Sequence, residues 1–334
     1  MLEFNFLIVC WFILCCLSGI QCYGGVSQCG RVHITVSSLR GTFLEMHWIT
    51  DCNNGETIPE YIILSSRNVQ DRDDDHGILL KIKYSDYPTG VYTTNVNFGH
   101  PWLPGGWEYD ENSVRADPGP HCFPFWIASV KGNVTIDSRC LAIQPTWMSD
   151  NRESIGDLKI SSMLIPGTHN SGSFAGVVAF LEDYVLNQDR SVWTQLAFGI
   201  RYLDFRIGYY NGDGKAESSF HNIFSDNPWL WHPLSQYWGD TTKVPALKDY
   251  IQKTINERNP LGSTNPNWAL MAELTPRPID IIFRRNGLRK LAHDANVEVT
   301  KWFRDQWGKK SNIVATDYFL GNDMINVAMS INSS

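Results

Sequence analysis

The residues that could do chemistry in this chain lie in its second half, at places where strands of a β/α fold would end. A histidine and an asparagine follow the apolar string "MLIPG", and an aspartate and an arginine alternate within "RYLDFRIG". Because catalytic groups in parallel α/β folds lie at the carboxyl ends of the strands, we expect these side chains to meet at one mouth. The candidates are His169, Asn170, Asp204, Arg206, His221 and Asp317.

This set of side chains favours acid–base work on an anionic substrate. Of the two imidazoles, one can take a proton while the other gives one. The Arg206 guanidinium can hold a phosphate through two parallel hydrogen bonds, and Asp204 or Asp317 can orient an imidazole. The chain has no G-x-S-x-G nucleophile elbow and no H-E-x-x-H zinc motif. A metal site built from these residues would include the Arg206 cation, which repels metal ions. If the substrate supplies its own hydroxyl as the nucleophile, the reaction needs no nucleophile from the protein.

Several of these residues also have a purely structural alternative. Asp204 or Asp317 could cap a helix or join a structural ion pair. His232 stands in "WLWHPL", where packing explains it better than catalysis. Glu273 ends the strand-like string "WALMAE" and could line the mouth, but we leave it outside the candidate set.

The elements that must position these residues alternate between strand and helix over residues 149–334. We expect "MLI" to be a strand that ends at the Pro-Gly turn of residues 166–167, and "WALMAELTP" and "SNIVATDYF" to be strands further along. Helices are expected near 180–197, in "VPALKDYIQKTINER", in "GLRKLAHDANVEVTKWFRDQW" and in "NDMINVAMSIN". Alternating β and α units predict a parallel sheet.

The first half of the chain has a different pattern. Apolar residues alternate with polar ones in short runs, for example at Val32, Ile34 and Val36, and turn-rich strings separate the runs. Residues 24–148 are therefore predicted to form a β-sandwich. The acidic string "DRDDDHG" at 71–77 fits no calcium-loop spacing and is interpreted as a solvated loop.

Cysteine usage favours an exported protein. Four of the eight cysteines lie within the first 23 residues, and the other four are confined to the predicted β half. An even set in one segment predicts two disulfides, with three possible pairings. The four are Cys29, Cys52, Cys122 and Cys140. Asn133 begins a glycosylation sequon, and Asn332 begins another that we expect to be a poor acceptor so close to the end of the sequence.

The first 23 residues are expected to be a cleaved signal peptide. The string "FNFLIVCWFILCCLSGI" has the length of a secretory apolar region and is short for a membrane-spanning helix, although an uncleaved anchor is the alternative. We therefore expect a secreted protein. The net charge of −7 argues against nucleic-acid binding.

Four ordered strings in the second half carry a resemblance to a known family. They are "LKISSMLIPGTHNSGSF", "GIRYLDFRIG", the later His221, and "IVATDYFLGNDMINVAMSIN". Over residues 156–334 the chain resembles the catalytic X domain of phosphatidylinositol-specific phospholipases C. It is most similar to secreted animal proteins of this type, which can carry a β domain before the X domain.

The resemblance implies a TIM-like barrel that cleaves the phosphodiester of inositol lipids. By position, His169 resembles the general base on the inositol 2-hydroxyl, His221 the general acid for the leaving diacylglycerol, and Asp317 the carboxylate that orients the base. Arg206 resembles the arginine that replaces calcium in bacterial members, so the resemblance implies no metal cofactor.

Two further positions follow from the same resemblance. Asp204 stands where the family keeps an acidic residue. Asn170 matches the amide of calcium-dependent members and departs from the acid of bacterial members, and we expect it to bind substrate. His221 is the loosest match. The implied partners are phosphatidylinositol or a glycosylated inositol lipid, met at a membrane surface.

The barrel implied by this resemblance is short. Residues 149–334 are fewer than the roughly 200 or more that a (β/α)₈ barrel uses, and we expect two β/α units to be absent near residues 226–228. The competing functions are then a secreted lipid phosphodiesterase and a non-catalytic lipid-binding or interaction module. A metal-dependent hydrolase is a third class, and it requires a site without Arg206.

Overall fold

A computed structural model of the 334-residue chain describes residues 29–39, 41–52, 55–69, 77–112, 118–174, 182–205, 234–258 and 267–334. Several predictions fall outside these residues. They are the signal peptide of residues 1–23, nearly all of the acidic loop at 71–77, the missing units near 226–228, and the residues Arg206, His221 and His232. In the described ranges, no helix has both the length and the apolar character needed to span a bilayer.

The first half consists of antiparallel sheet, as the alternating runs predicted. One sheet has the strand order β1-β2-β5 and the other β4-β3-β6-β7. The strands are β1 (Val32–Val36), β2 (Phe43–Trp48), β3 (Tyr61–Ser65), β4 (Ile78–Lys83), β5 (Val91–Asn97), β6 (His121–Lys131) and β7 (Val134–Ile143).

Both sheets contribute to one apolar cluster, which also takes in side chains from the second half. Leu44 of β2 and Ile62 of β3 are fully buried in it, together with Phe198, Ile200 and Phe319 from beyond residue 149. The two halves of the chain therefore share a core. The sandwich arrangement of the two sheets remains a prediction.

The disulfides follow a pairing that the sequence left open. Cys29 is bonded to Cys52, and Cys122 to Cys140, so each bond lies within the first half. Asn133 is exposed in the turn between β6 and β7, where a glycan could be attached. Asn332 is 7% exposed. Its Oδ1 accepts from the Leu164 N–H and its Nδ2 donates to the Leu164 carbonyl, which agrees with a poor acceptor of a glycan.

The second half alternates strands with helices and forms one parallel sheet. Its strands are β8 (Ile165–Thr168), β9 (Tyr202–Leu203), β10 (Ser235–Trp238), β11 (Trp268–Met271) and β12 (Ile313–Thr316). Its helices are α1 (Trp147–Asp150), α2 (Arg152–Ile155), α3 (Glu182–Val185), α4 (Val192–Phe198), α5 (Val244–Arg258), α6 (Pro278–Ile282), α7 (Leu288–Trp302) and α8 (Met324–Asn332).

The order of this sheet is β10-β11-β12-β8-β9. Strand β12, the last in sequence, therefore pairs with β8, the first in sequence. The edge strands of the described sheet, β9 and β10, are consecutive among the described strands. They are close in space, because Gln236 Nε2 on β10 donates to the Tyr202 hydroxyl on β9 over 2.8 Å. No backbone pairing joins these two edges within the described ranges, so a closed barrel is not observed and stays a proposal.

One local prediction about the first strand of this sheet is wrong. The expected strand "MLI" ending at a Pro-Gly turn is instead β8, which starts at Ile165 and contains both Pro166 and Gly167. Proline fits because the bond to the neighbouring segment before β9 uses its carbonyl, which accepts from the Arg201 N–H over 2.9 Å, and so needs no N–H group from residue 166. Gly167 fits because a Cβ there would lie 2.6 Å from the Tyr202 ring.

A histidine pair is packed where the first half meets helix α7. The rings of His33 and His47 stack with centroids 4.6 Å apart. His47 Nε2 bonds the Thr35 hydroxyl over 2.7 Å, and Glu45 beside it faces His293 of α7 with 3.4 Å between Oε1 and Nδ1. Burial, and then the cations of Arg304, Arg139 and Lys301, lower the pKa of His33 to about 3.

This pair predicts a loss of stability in acid. When the pH falls below the ordinary value of 6.5, the unfolded chain binds a proton at His33 before the folded chain does. His33 therefore costs the folded state no stability above pH 6.5. Its cost in unfolding free energy grows as the pH falls from 6.5 to about 3. Relative to His33→Gln, the wild type should lose about 1.4 kcal/mol of unfolding free energy per pH unit in that window. Urea unfolding from pH 4 to 7 measures this difference, and parallel curves for the two proteins would contradict it.

Candidate active site

A cavity of about 650 Å³ opens at the carboxyl ends of the parallel strands. Each strand of the second sheet sends a residue to its wall, from the last position of the strand or from within two residues after it. These residues are His169 and Asn170 after β8, Asp204 after β9, Trp238 at the end of β10, Glu273 after β11 and Asp317 after β12. The strand-end rule used on the sequence therefore holds for His169, Asn170, Asp204 and Asp317.

A polar contact between two titratable side chains of the cavity joins His169 and Asp317. His169 Nδ1 lies 2.8 Å from Asp317 Oδ1, although the two residues are 148 positions apart in sequence. Both side chains are buried, with 9% of His169 and 2% of Asp317 exposed. Because a carboxylate only accepts hydrogen bonds, Nδ1 carries the proton. Nε2 is then the ring nitrogen that can exchange a proton with a substrate.

The charges around His169 favour its protonated form. Burial lowers the pKa of the ring, but the charge of Asp317, its hydrogen bond, and the charges of Glu273 and Asp204 outweigh burial and raise the pKa to about 9. At pH 7 only about one ring in a hundred is neutral in this site. A base reaction through His169 therefore becomes faster as the pH rises toward 9.

Asn187 also belongs to this site, and the sequence analysis missed it. Its Nδ2 donates to Asp317 Oδ1 over 2.9 Å, and its Oδ1 accepts from Asn170 Nδ2 over 3.2 Å. Asn187 follows the short helix α3 in the string "VLNQDR", away from any strand end. The strand-end rule could not find it, and the only signal was a polar Asn-Gln pair within a segment that otherwise reads as helical.

Asp204 is tied to the backbone turn that follows β8. Asn170 has φ of 44°, a left-handed conformation that asparagine tolerates well, and its N–H donates to Asp204 Oδ2 over 3.1 Å. Ser171 then binds the backbone of Asp204, since its N–H donates to the Asp204 carbonyl and its hydroxyl accepts the Asp204 N–H. The turn thus fixes the positions of Asn170 and Asp204 relative to each other.

The segment after Asp317 is held from both halves of the chain. Tyr318 has φ of 46°, which is strained for an aromatic residue. The Arg289 guanidinium lies 4.6 Å from its ring centroid, and Asn296 Nδ2 donates to the carbonyls of Asp317 and Tyr318. Arg289 and Asn296 also bind the carbonyl and the hydroxyl of Ser38, which follows β1. The first half therefore supports the position of the Asp317 carboxylate.

Glu273 lines the cavity although the sequence analysis left it out of the candidate set. It is 3% exposed and follows β11 in the sheet. Its carboxylate, that of Asp204 and the Asn170 amide are oxygen ligands of the kind that calcium takes. Within the described ranges, however, no three His, Asp or Glu side chains of the cavity bring ligand atoms within 4.8 Å of one another.

Exposed apolar side chains line the cavity or lie on and just after a helix that borders it. Phe205 and Trp238 line it and are 45% and 51% exposed. Helix α6 borders the cavity through Ile281, and on and after this helix Ile279, Ile282 and Phe283 are 48%, 72% and 58% exposed. We call these five residues the apolar rim. Arg284 and Arg285 follow Phe283 and are exposed as well.

Comparisons with known proteins support a distant relationship to phospholipase X domains. Over 122 residues, or 32% of the chain, it is 25% identical to a PI-PLC X domain-containing protein of Dictyostelium discoideum, of which the match covers 20%. Over 128 residues it is 26% identical to a PI-PLC X-box domain-containing protein of the same organism, of which it covers 15%. The chain thus spans a fifth or less of these relatives. No family model and no solved structure matches it.

Proposed function

We propose that this chain is a phosphodiesterase that acts on inositol phospholipids. The observation that carries the proposal is the buried His169–Asp317 pair at the strand ends, 2.8 Å apart on the wall of a cavity. The partial similarity to PI-PLC X domain-containing proteins supports the choice of an inositol lipid as the substrate. The buried carboxylate orients the ring, as in other acid–base sites.

In the proposed reaction His169 Nε2 takes the proton of the inositol 2-hydroxyl. The freed oxygen attacks phosphorus, a cyclic phosphate forms, and the bond from phosphorus to the glycerol oxygen breaks. The general acid gives that oxygen its proton, so diacylglycerol leaves neutral. His221 as this acid and Arg206 as the phosphate-binding cation remain proposals from the sequence, because both lie outside the described residues.

We assign no metal cofactor to this reaction. The assignment depends on Arg206, whose guanidinium would neutralise the phosphate charge in place of a calcium ion. The test is an assay of the purified chain on phosphatidylinositol vesicles in a chelating buffer. The expected products are inositol cyclic phosphate and diacylglycerol. No product with or without calcium would contradict the proposed function, and product only with calcium would contradict the role of Arg206.

The apolar rim and the arginines after it support a substrate embedded in an anionic membrane. Ile and Phe side chains each gain roughly 1.5–3 kcal/mol on burial, and exposed arginines attract anionic headgroups. Ile282→Ser with Phe283→Ser should therefore lower binding to phosphatidylcholine–phosphatidylinositol vesicles by at least about tenfold. Leu79→Ser, at an apolar residue 45% exposed on β4, is the control and should bind like the wild type. Equal binding of all three proteins in a sedimentation assay would exclude the rim as a membrane contact.

The alternative function is a non-catalytic binding module. The observation that favours it is the length of the second half, because residues 149–334 are fewer than the roughly 200 that a closed (β/α)₈ barrel uses. In that case the vesicle binding would persist without any cleavage. The two disulfides support export of either form, because such bonds persist in oxidising compartments.

A further inference from the structure

Asn187 is held in the cavity wall by its backbone as well as by its side chain. Its N–H donates to the Ser173 carbonyl over 2.9 Å, and its carbonyl accepts from the Tyr318 N–H over 2.7 Å. The residue is 3% exposed. Asn187 is thus bonded directly to the residue that follows Asp317 in sequence.

The two ends of the Asn187 amide are distinguished by their partners. Nδ2 donates to Asp317 Oδ1 over 2.9 Å, while Oδ1 accepts from Asn170 Nδ2 over 3.2 Å. The flipped amide would turn its oxygen toward the carboxylate, so only this orientation makes both bonds. The 3.4 Å approach of Nδ2 to His169 Nδ1 adds no bond to a protonated nitrogen.

We infer that Asn187 is a positioning residue that fixes the Asp317 carboxylate in line with His169 Nδ1. Its effect on catalysis rests on the proposed function, whereas its effect on the titration of His169 does not. Asp317 Oδ1 accepts from two donors, His169 Nδ1 and Asn187 Nδ2. With one donor removed, the carboxylate can rotate about its side-chain bonds and lose alignment with the ring.

The first test is the titration of His169 in Asn187→Leu, which keeps the number and branching of the side-chain heavy atoms and removes the donor to Asp317 together with the acceptor for Asn170. Misalignment weakens the contact that favours imidazolium, so the titration midpoint should fall by at least about one pH unit. Asn187→Ser keeps a hydroxyl donor and should give an intermediate midpoint. NMR of labelled histidine measures both, and His169→Ala assigns the signal.

Gln195→Leu is the matched control for this titration. Gln195 is a fully buried amide whose side chain bonds Thr168, Ser171 and Arg190 rather than the His169 or Asp317 side chains. Its loss should lower the stability while the midpoint of His169 stays in place. A midpoint that is unchanged in Asn187→Leu, or that moves equally in Gln195→Leu, overturns the inference. A midpoint that rises in Asn187→Leu also overturns it. The role of Asn187 would then be only to weaken the effect of the Asp317 charge on the His169 ring.

The second test is a double-mutant cycle with Asp317→Asn. If Asn187 acts through Asp317, Asn187→Leu should lower kcat by about 10- to 100-fold in the wild type, as expected for one hydrogen bond to a charged group, and change KM little. In the Asp317→Asn background it should have almost no further effect. A full second loss in that background would indicate a general structural role and overturn the inference.

The two tests separate this inference from the proposed function. If the chain cleaves no lipid, the proposed function fails, while the shift of the His169 titration still decides the role of Asn187. If Asn187→Leu does not fold, the wild type alone gives the answer. A cross-peak between the Asn187 side-chain amide and the proton on His169 Nδ1 is then expected, and its absence in a spectrum that shows both signals overturns the inference.

Discussion

His169→Ala is expected to lower the rate of phosphatidylinositol cleavage by about 10²–10⁴-fold, the usual contribution of a general base. The reason is that Nε2 of this ring is the proposed proton acceptor, while Nδ1 is committed to Asp317. Asp317→Asn should show a smaller loss, because the ring remains but loses its orienting charge. Release of water-soluble inositol phosphate from vesicles measures both variants.

The dependence of this rate on pH tests the same assignment. Since the pKa of His169 is raised to about 9, the neutral base becomes more abundant up to that pH. We expect kcat/KM to rise by about tenfold between pH 7 and 8 and by about a further fivefold between pH 8 and 9 in the wild type, because the neutral fraction levels off near the pKa. The same rise in His169→Ala would contradict this assignment. Full activity in His169→Ala would refute the catalytic interpretation altogether.

The His169→Ala variant is expected to keep its fold. Asp317 keeps the Asn187 donor when the histidine is removed, so His169→Ala should remain folded. His169→Gln is a second variant that offers a donor to Asp317 and cannot act as a base of the same strength. Circular dichroism at the assay temperature compares both with the wild type. If both variants unfold, His169 is a structural residue and the loss of activity has no catalytic meaning.

Phe198→Ala is expected to lower the unfolding free energy by about 3–5 kcal/mol, the usual cost for a buried phenylalanine. Phe198 ends α4 and is 2% exposed. Its ring stacks on Phe123 of β6 at 5.7 Å between centroids and meets Phe319 edge-on at 5.7 Å. It thus joins the first half of the chain to the segment that carries Asp317. Denaturation with urea, followed by fluorescence and circular dichroism, measures the change.

Phe283→Ala is the matched control, because Phe283 is 58% exposed and its loss should change the stability by less than about 0.5 kcal/mol. The shared core also predicts that both halves unfold in one cooperative transition. Two separate transitions, only one of which moves in Phe198→Ala, would show that the halves are independent domains. A loss as small as in Phe283→Ala would show that the contact is not a core contact.

The alternation of apolar residues was sufficient to predict most of the local structure. Strands β1, β2 and β4 coincide with the runs of period two, and helices α5, α7 and α8 with runs of period 3.6. Such patterns succeed because the spacing of apolar residues along a strand or helix is a local property of the sequence. The strand "MLI" was misplaced because Pro166 and Gly167 usually break a strand, and only the neighbouring Arg201 and Tyr202 make them acceptable in β8.

The sequence by itself determined four of the polar groups that line the cavity, because His169, Asn170, Asp204 and Asp317 all come at predicted strand ends. It did not determine Asn187 or Glu273. Only the tertiary structure decided how these groups are connected. The pairing of β12 with β8 brings Asp317 to His169, and the loop after α3 brings Asn187 between Asp317 and Asn170. The tertiary structure also decided the disulfide pairing and the support that Ser38, through Asn296, gives to the segment at Asp317. These contacts join residues far apart in sequence, so their geometry depends on the packing of the whole chain and leaves no periodic signal along it.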